Sequence, residues 1–400
     1  MSVMYFKQFK DSHGNRNVIS LFSGAMGLDI GLEKAGLNIK VCQDIDTDCA
    51  KTIAANRHNV ICGDITKIEA HTLLEKSQLK RGEAFLVCGG PPCQPFSTAG
   101  KRLGINDPRG SLFMDFRRVI DYIRPRFFIM ENVKGLLSSA VKHVPISERG
   151  LGYNPSKEEQ PGSVFHVVKE QLESMGYKII YGLLDAVNYG VPQFRERLVI
   201  LGSRDNEDIF LPMPTHFQLH QNLGYRWKIL RDTIEDLELN PGLCAKFSQD
   251  RVNFLNLVPE GGNWRNLPSH LVKVAMGGAY ESGGGKAGFF RRLSYDQPSP
   301  TLVTSPIQKA SMLCHPRQTR PLSIKEYARI QQFDDNWKFE GTINSIYKQI
   351  GNAVPVGLGM ALGQALLATA NGDSMVNTKR TRGTDIHNKI RNALVASDYE

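Results

Sequence analysis

Short apolar runs alternate with helical patterns over the first 204 residues, and this alternation most constrains the fold. Strands are predicted over residues 17–22, 39–44, 60–64, 85–89, 127–132, 177–184 and 198–202. Helices are predicted between them, for example over 48–56, 111–123 and 164–175. Such alternation is typical of βαβ units and a mostly parallel sheet. Ligands of such sheets bind beyond the carboxyl ends of the strands, so residues that directly follow strands are the candidates for function.

The pattern changes after Arg204. Residues 205–310 are rich in glycine, proline and polar residues without a sustained period, which predicts a smaller, irregular domain. Order returns at 320–333, where Ser323 and Glu326 have the spacing of a capping box, and a small-residue helix is predicted over 357–370. We therefore divide the chain into 1–204, 205–310 and a part, 311–400, that returns to the first domain. A long loop over 138–163 is interpreted as a tolerated insertion, with a lid or flap as the alternative.

Composition indicates a globular protein with a modest positive charge. The 49 Lys and Arg exceed the 40 Asp and Glu, giving a net charge of +9, which fits either simple solubility or a polyanionic partner. The excess of basic residues is concentrated in 251–329, which contains eleven basic and four acidic residues. No apolar run of membrane-spanning length or signal-peptide type is apparent. The seven cysteines lack disulfide or paired CxxC spacing, so we expect a reducing cytoplasm and no metal site.

A glycine-rich turn follows the first predicted strand. Residues 22–27 read FSGAMG, and Asp44 and Asp64 close the next two predicted strands. Such a turn lets a ligand approach the backbone, and a carboxylate about 20 residues later can hold a ribose. Both aspartates could instead be helix N-caps. The spacing Gly-x-x-Gly counts mildly against a diphosphate, but NAD, FAD and S-adenosylmethionine all remain open at this point.

A cysteine lies on a stiff loop after the fourth predicted strand. Cys93 is in GGPPCQPFS at 89–97, where three prolines prevent a regular strand or helix and restrain the thiol. The next strand ends in a segment that contains Glu131, and Arg195 and Arg197 stand on either side of Glu196 at the entry to a later strand. The sequence thus predicts a thiol, a carboxyl group and two cations at one edge of the sheet.

These motifs, in this order, resemble the DNA (cytosine-5)-methyltransferases of the prokaryotic modification-methylase type. The resemblance rests on FSGAMG at 22–27, GDIT at 63–66, GGPPCQPFS at 89–97, ENV at 131–133, QFRER at 193–197 and GNAVPV at 351–356, with Asp107, Arg109, Gly110, Leu112, Phe113 and the run RPLSIKEYARIQQF at 320–333. It implies a Rossmann-like, S-adenosylmethionine-dependent methyltransferase fold, with 205–310 as the target-recognition domain.

The resemblance implies roles for four catalytic residues. Cys93 would add to C6 of cytosine, which activates C5 for methyl transfer. Glu131 would donate to N3, and Arg197, with Arg195 nearby, would hold the cytosine O2 and the nucleophile loop. The nearby arginines could lower the pKa of the thiol.

S-adenosyl-L-methionine is the implied cofactor, and S-adenosyl-L-homocysteine the product. Phe22 would pack on the adenine, Asp44 would hold the ribose and Asp64 the adenine amino group. The remaining implied cofactor contacts are Ser23, Gly24, Ala25, Gly27, Ile45, Ile65, Pro92, Leu112, Asn352 and Val354. Two positions depart from the family pattern: Met26 stands where glycine is common, and Asp44 where glutamate is common.

Double-stranded DNA is the implied partner, with the target cytosine flipped out of the helix. Gln94, Ser97, Arg291 and Arg292 are the candidate DNA contacts, although each arginine could equally be a solvated surface charge. We expect a cytoplasmic, nucleoid-associated monomer that pairs functionally with a restriction endonuclease. The alternatives are an RNA cytosine-5 methyltransferase of the same fold and an inactive DNA-binding paralogue. A dinucleotide oxidoreductase is excluded by the Cys93 loop.

Overall fold

A single seven-stranded sheet organises the protein. The computed structural model describes residues 14–92, 111–142, 144, 149, 153–218, 224–283 and 285–372. The strands are β1 Asn17–Leu21, β2 Asn38–Asp44, β3 Val60–Cys62, β4 Leu86–Gly89, β5 Phe127–Val133, β6 Lys178–Asp185 and β7 Glu196–Ser203. They pair in the order β3-β2-β1-β4-β5-β7-β6, and β7 runs antiparallel to both of its neighbours. The predicted α/β fold with a mostly parallel sheet is confirmed, and each strand boundary lies within two residues of its predicted position.

Helices cover both faces of the sheet. They are α1 Gly27–Ala35, α2 Thr47–Ala55, α3 Ala70–Ser77, α4 Ser111–Ile123, α5 Ser163–Glu173, α6 Arg231–Ile234, α7 Gln249–Leu255, α8 Ser269–Met276, α9 Ile324–Ile330, α10 Ile343–Asn352 and α11 Val356–Ala370. Alternate strand residues serve opposite faces: Val18 packs in the core that includes α1 and α11, whereas Ile19 packs in the core beneath α3, α4 and α5. This two-sided burial explains why the strands read as continuous apolar runs.

The chain after residue 320 returns to the sheet. The predicted capping box is present at the start of α9, where the Ser323 hydroxyl accepts from the Glu326 amide and the Glu326 carboxylate accepts from the Ser323 amide. Helix α11 then packs against α1. A Cβ added at Gly31 of α1 would lie 2.3 Å from the Val356 carbonyl oxygen, so glycine is required for this close approach.

Residues 205–310 contain short elements and a small core of their own. Strands β8 His216–Phe217 and β9 Tyr225–Arg226 form a separate parallel pair. Farther along, α7, α8 and the 289–314 region enclose an apolar cluster that includes Leu255, Met276, Phe290 and Met312. The three-part division of the chain stays a prediction.

Contrary to the expectation from the sequence, one stretch in the described part of the chain, Ile343–Ala370, is long and apolar enough to cross a membrane by length and composition. It comprises α10 and α11, and 67% of its most apolar window is buried inside the protein. It therefore forms part of the core next to α1.

Candidate functional site

The glycine turn after β1 adopts a left-handed backbone at three positions. The φ angles are 54° at Phe22, 55° at Gly24 and 69° at Met26. The last value explains why glycine is common at position 26, because a left-handed backbone is costly for a residue with a Cβ atom. Met26 compensates by complete burial of its side chain in the core. A Cβ at Gly24 would meet nothing within 4 Å, so the face of the turn at this position is open.

Asp44 connects the end of β2 to this turn. Its carboxylate accepts hydrogen bonds from the Gly24 amide at 2.7 Å and from the Asp46 amide at 2.8 Å. Burial raises the pKa of Asp44. The N-cap of α2 is Asp46, which accepts from the amides of Asp48 and Cys49. The N-cap alternative is therefore wrong for Asp44.

Asp64 does act as an N-cap. It accepts from the Thr66 amide at 3.0 Å and begins the short helical turn Ile65–Lys67. This hydrogen bond lowers the pKa of Asp64, so the carboxylate is charged at neutral pH. A capping role leaves the second carboxylate oxygen available to a ligand.

The other predicted cofactor residues divide by accessibility. Ile45 is 64% exposed, an unusual state for an isoleucine directly after a buried strand. Pro92 and Asn352 are exposed, Ser23 and Leu112 are half-buried, and Ala25, Ile65 and Val354 are buried. Gly27 packs against the 353–354 backbone, since a Cβ there would lie 2.2 Å from the Val354 carbonyl oxygen. Gly27 thus has a packing role that the sequence did not reveal.

The predicted nucleophile Cys93 lies outside the described residues, as do Gln94, Ser97, Asp107, Arg109 and Gly110. The beginning of their loop is described. The Asn132 side-chain amide donates to the Pro91 carbonyl at 3.1 Å, and a Cβ at Gly90 would lie 2.8 Å from Glu131 Oε2. The loop therefore leaves β4 directly beside the carboxyl group of Glu131.

Glu131 and Arg197 form an ion pair at this edge. The distance between Arg197 Nε and Glu131 Oε1 is 2.7 Å, and the side chains are 13% and 14% exposed, respectively. The antiparallel pairing of β5 and β7 brings them together, because it places Val133 opposite Arg197 and Glu131 opposite Val199. A carboxyl group and a guanidinium in this shielded setting interact strongly.

A cavity of about 380 Å³ opens beside this pair. This volume lies within the range of small-molecule sites. Its lining residues are Val133, Lys134, Gly135, Asp185, Phe194, Glu196, Arg197 and Thr301. The cavity therefore combines one aromatic ring with polar and charged groups around Arg197.

Arg195 does not share this environment. It is 2% exposed, and its guanidinium donates to the backbone carbonyls of Leu302, Gly351 and Asn352. The prediction that Arg195 helps to hold the substrate is corrected accordingly: its two terminal guanidinium nitrogens bind backbone in the interior, and its Nε is buried with no hydrogen-bond partner among the described residues. Burial lowers the pKa of Arg195.

The two candidate DNA-contacting arginines are also largely committed to the protein. Arg292 is 5% exposed and donates to the carbonyls of Leu255, Val258 and His315 and to the Thr319 hydroxyl. A direct DNA contact by Arg292 is therefore not supported, and neither is a solvated surface charge. Arg291 is half-buried and donates to the Met312 carbonyl, and burial lowers its pKa.

Within the described residues, no group of three or more His, Cys, Asp or Glu side chains could hold a metal ion. The arrangement at the sheet edge instead offers two adjacent sites. One is a turn with an open backbone face beside Asp44, and the other is a cavity beside Glu131 and Arg197.

Comparisons with known proteins agree on one family. A profile described as C-5 cytosine-specific DNA methylase matches residues 16–368. Type II methyltransferase M.PspPI from Psychrobacter sp. (strain TA137) is 38% identical over 358 residues, covering 89% of this chain and 80% of that protein. Type II methyltransferase M.Eco47II from Escherichia coli is 37% identical over 363 residues, covering 90% of this chain and 80% of that protein.

Solved structures show the same fold at lower sequence identity. The Entamoeba histolytica methyltransferase EhMeth matches with a TM-score of 0.54 at 18% identity, covering 89% of this chain and 98% of that one.

Proposed function

The chain belongs to the family of C-5 cytosine-specific DNA methylases, and from this premise we propose that it methylates C5 of a cytosine within a specific duplex sequence. The observation that carries the mechanism is the Glu131–Arg197 pair beside the start of the Cys93 loop. Because its relatives are Type II methyltransferases, the proposed setting is a restriction–modification system with a cognate endonuclease. We extend the proposal to a cytoplasmic protein that acts on DNA as a monomer.

The residues after β1 and β2 fit S-adenosylmethionine. The open face at Gly24 gives a ligand access to the backbone, and the exposed Ile45 offers an apolar surface for an adenine ring. Asp44 and Asp64 would bind the ribose and the adenine amino group, with Phe22, Ser23, Pro92, Leu112 and Asn352 around them. When bound, the cofactor supplies the methyl group. Four further predicted contacts are buried and would support the site by packing beneath its exposed residues: Ala25, Gly27, Ile65 and Val354.

Three residues of the chain carry the proposed chemistry. The Cys93 thiolate forms a bond to C6 of cytosine, which moves negative charge onto N3, and Glu131 neutralises that charge by donating a proton to N3. This requires Glu131 to be protonated in the complex, on the carboxyl oxygen that does not pair with Arg197. C5 then has enamine character and takes the methyl group. Water removes the C5 proton, the C5–C6 double bond forms again as Cys93 leaves as a thiolate, and Glu131 recovers the proton from N3. Arg197 orients Glu131 through the ion pair and would hold the cytosine O2 in the adjoining cavity.

DNA is the proposed substrate, and residues 205–310 the proposed recognition domain. The target cytosine must leave the base stack, which costs a few kcal/mol and is offset by contacts within the cavity. Gln94, Ser97 and Arg291 remain candidate DNA contacts. Arg292, whose donors bind backbone and Thr319, would instead stabilise the recognition domain.

The first test replaces the nucleophile. We expect Cys93→Ser to reduce methyl transfer to duplex DNA by at least three orders of magnitude, because the adduct at C6 cannot form, while the affinity for S-adenosylhomocysteine changes less than threefold. Transfer of labelled methyl to duplex DNA and to tRNA, together with calorimetry of cofactor binding, measures both effects. Cys244→Ser is the matched control, since Cys244 is a half-buried free cysteine outside the motifs assigned to the cofactor and to catalysis.

Three outcomes would contradict the proposal. Retained turnover in Cys93→Ser would exclude the covalent mechanism. Methyl transfer to tRNA but not to DNA would favour an RNA methyltransferase, and no transfer by the wild-type protein would favour an inactive paralogue. Bisulfite sequencing of DNA from cells that express the protein identifies the target sequence in the same experiment.

A further inference from the structure

Two buried glutamines form a continuous amide chain behind the candidate site. Gln193 and Gln331 are both 0% exposed, and Gln193 Nε2 donates to Gln331 Oε1 at 3.0 Å. The Leu302 amide donates to Gln193 Oε1 at 2.8 Å. Gln331 Nε2 donates to the carbonyls of Ile350 at 2.7 Å and Ala353 at 3.0 Å. The backbone partners fix the orientation of both side-chain amides, because a backbone N–H can only donate and a carbonyl can only accept.

These side-chain hydrogen bonds connect three segments to which the proposed function assigns roles. Gln193 lies four residues before Arg197, and Leu302 follows Thr301, which lines the cavity beside Arg197. Ile350 and Ala353 flank Asn352, a predicted cofactor contact. The amide pair therefore connects three segments: 193–197, which contains Arg197; 299–304, near the end of the irregular region; and 350–354, which is proposed to bind the cofactor.

Arg195 connects the same three segments a second time. Its guanidinium donates to Leu302 at 3.1 Å and to Gly351 at 3.0 Å. Both backbone groups of Leu302 thus form hydrogen bonds with this segment: the amide donates to Gln193, and the carbonyl accepts from Arg195. Packing is equally tight between the other two segments, because a Cβ at Gly351 would lie 2.3 Å from the Val303 carbonyl oxygen.

We propose that Gln193 and Gln331 are positioning residues that couple cofactor binding at 350–354 to DNA binding through the 299–304 segment and Arg197. A shift of the 350–354 segment on cofactor binding moves the acceptors of Gln331, and a buried amide cannot leave its partners without loss of hydrogen bonds. The coupling presupposes the cofactor and DNA functions proposed above, and it adds that the two ligands increase each other's affinity through this pair.

The test measures coupling directly, by titration of S-adenosylhomocysteine with and without a duplex that carries the sequence found by bisulfite mapping. For the wild type we expect the duplex to raise cofactor affinity by about fivefold or more. Gln331→Met keeps the length of the side chain but removes its hydrogen bonds. It should reduce the enhancement to less than twofold, and Gln193→Met should do the same. The double variant should lose no more coupling than either single variant, because both residues belong to one chain.

Gln332→Met is the matched control. The neighbouring Gln332 also makes two hydrogen bonds to backbone, to the Gly190 carbonyl and from the Gly357 amide, but it contacts neither Gln193 nor Leu302 by hydrogen bonding. We expect a similar loss of thermal stability with coupling retained. Wild-type coupling that persists in Gln331→Met and Gln193→Met, or its loss in Gln332→Met, would overturn the inference. So would a wild type that binds both ligands independently, whereas a wild type that binds neither would overturn the proposed function instead.

Discussion

Asp29 shows how burial controls a single side chain. It lies in the first turn of α1, is 1% exposed, and its Oδ2 atom has no hydrogen-bond partner among the described residues. Burial raises the pKa of Asp29 from its ordinary value of 3.8 to about 6, against smaller opposing effects of Ser20 and Cys88. Its neighbour Glu33, whose pKa is raised to about 7 by burial and by the charge of Asp29, shares this apolar setting.

We predict that Asp29→Asn stabilises the protein strongly at pH 8 and much less at pH 4.5. Ionisation of Asp29 costs folding free energy because its pKa is about 6 in the folded protein and 3.8 in the unfolded chain. This cost builds up between pH 3.8 and pH 6, is complete above pH 6, and is lost only as the pH falls below 3.8. A rise in pKa from 3.8 to about 6 corresponds to about 3 kcal/mol in the free energy of unfolding at pH 8. Chemical denaturation at the two pH values measures the effect.

Asp121→Asn serves as the control, because the Asp121 side chain is 57% exposed on α4. We expect no comparable pH-dependent gain from it. A destabilised Asp29→Asn protein at pH 8 would show that the carboxylate makes a favourable interaction in its charged form.

At the scale of elements, the contact between α1 and α11 depends on glycines on both helices. A Cβ at Gly31 would lie 2.3 Å from the Val356 carbonyl oxygen and 2.5 Å from the Met360 amide nitrogen. A Cβ at Gly359 would lie 2.6 Å from the Leu28 carbonyl oxygen. These neighbours are backbone atoms, which cannot rotate away. The contact holds α11, and with it the preceding 350–354 segment, against the helix that follows the glycine turn.

We predict that Gly31→Ala lowers both stability and cofactor affinity. Overpacking costs about 1–3 kcal/mol, which exceeds the gain of about 1 kcal/mol from the helix propensity of alanine. Separation of the helices would also displace Val354 from Gly27. Thermal unfolding and calorimetry with S-adenosylhomocysteine measure the two effects. In contrast, Gly278→Ala should be neutral, because a Cβ there meets nothing within 4 Å. Equal behaviour of the two variants would refute the packing argument.

Sequence periodicity predicts these elements well but not their pairing. Apolar runs locate all seven strands, because buried parallel strands have a recognisable composition. The reversed direction of β7 has no local signal, yet it brings Arg197 to Glu131. Likewise, Arg195 and Arg197 stand in the same motif, and only the packing of residues 302 and 351 around Arg195 distinguishes the interior arginine from the one at the cavity. Gln193 and Gln331 were within quoted motifs, but their contact joins distant parts of the chain.

At the scale of the whole molecule, charge and chemistry are separated along the chain. Most residues proposed to contact the cofactor lie between residues 22 and 112, with Asn352 and Val354 near the other end, whereas most of the excess positive charge lies between 251 and 329. Several of these cations, including Arg265, Lys273 and Lys309, are exposed, as is Lys246 just before them. Exposed cations attract the DNA backbone over a long range and release counterions on binding. Counterion release of this kind does not contribute to the binding of the cofactor.

We therefore predict that salt and charge removal affect the two ligands differently. A triple variant with Lys246, Arg265 and Lys273 changed to glutamine should bind duplex DNA more weakly, and the slope of log affinity against log salt should decrease by up to about three. Its affinity for S-adenosylhomocysteine should stay within twofold of the wild type. The matched control changes Lys51, Lys76 and Lys80, three exposed lysines outside residues 205–310. If both triple variants reduce the slope equally, net charge alone governs DNA binding, and the assignment of phosphate contacts to the recognition domain is wrong.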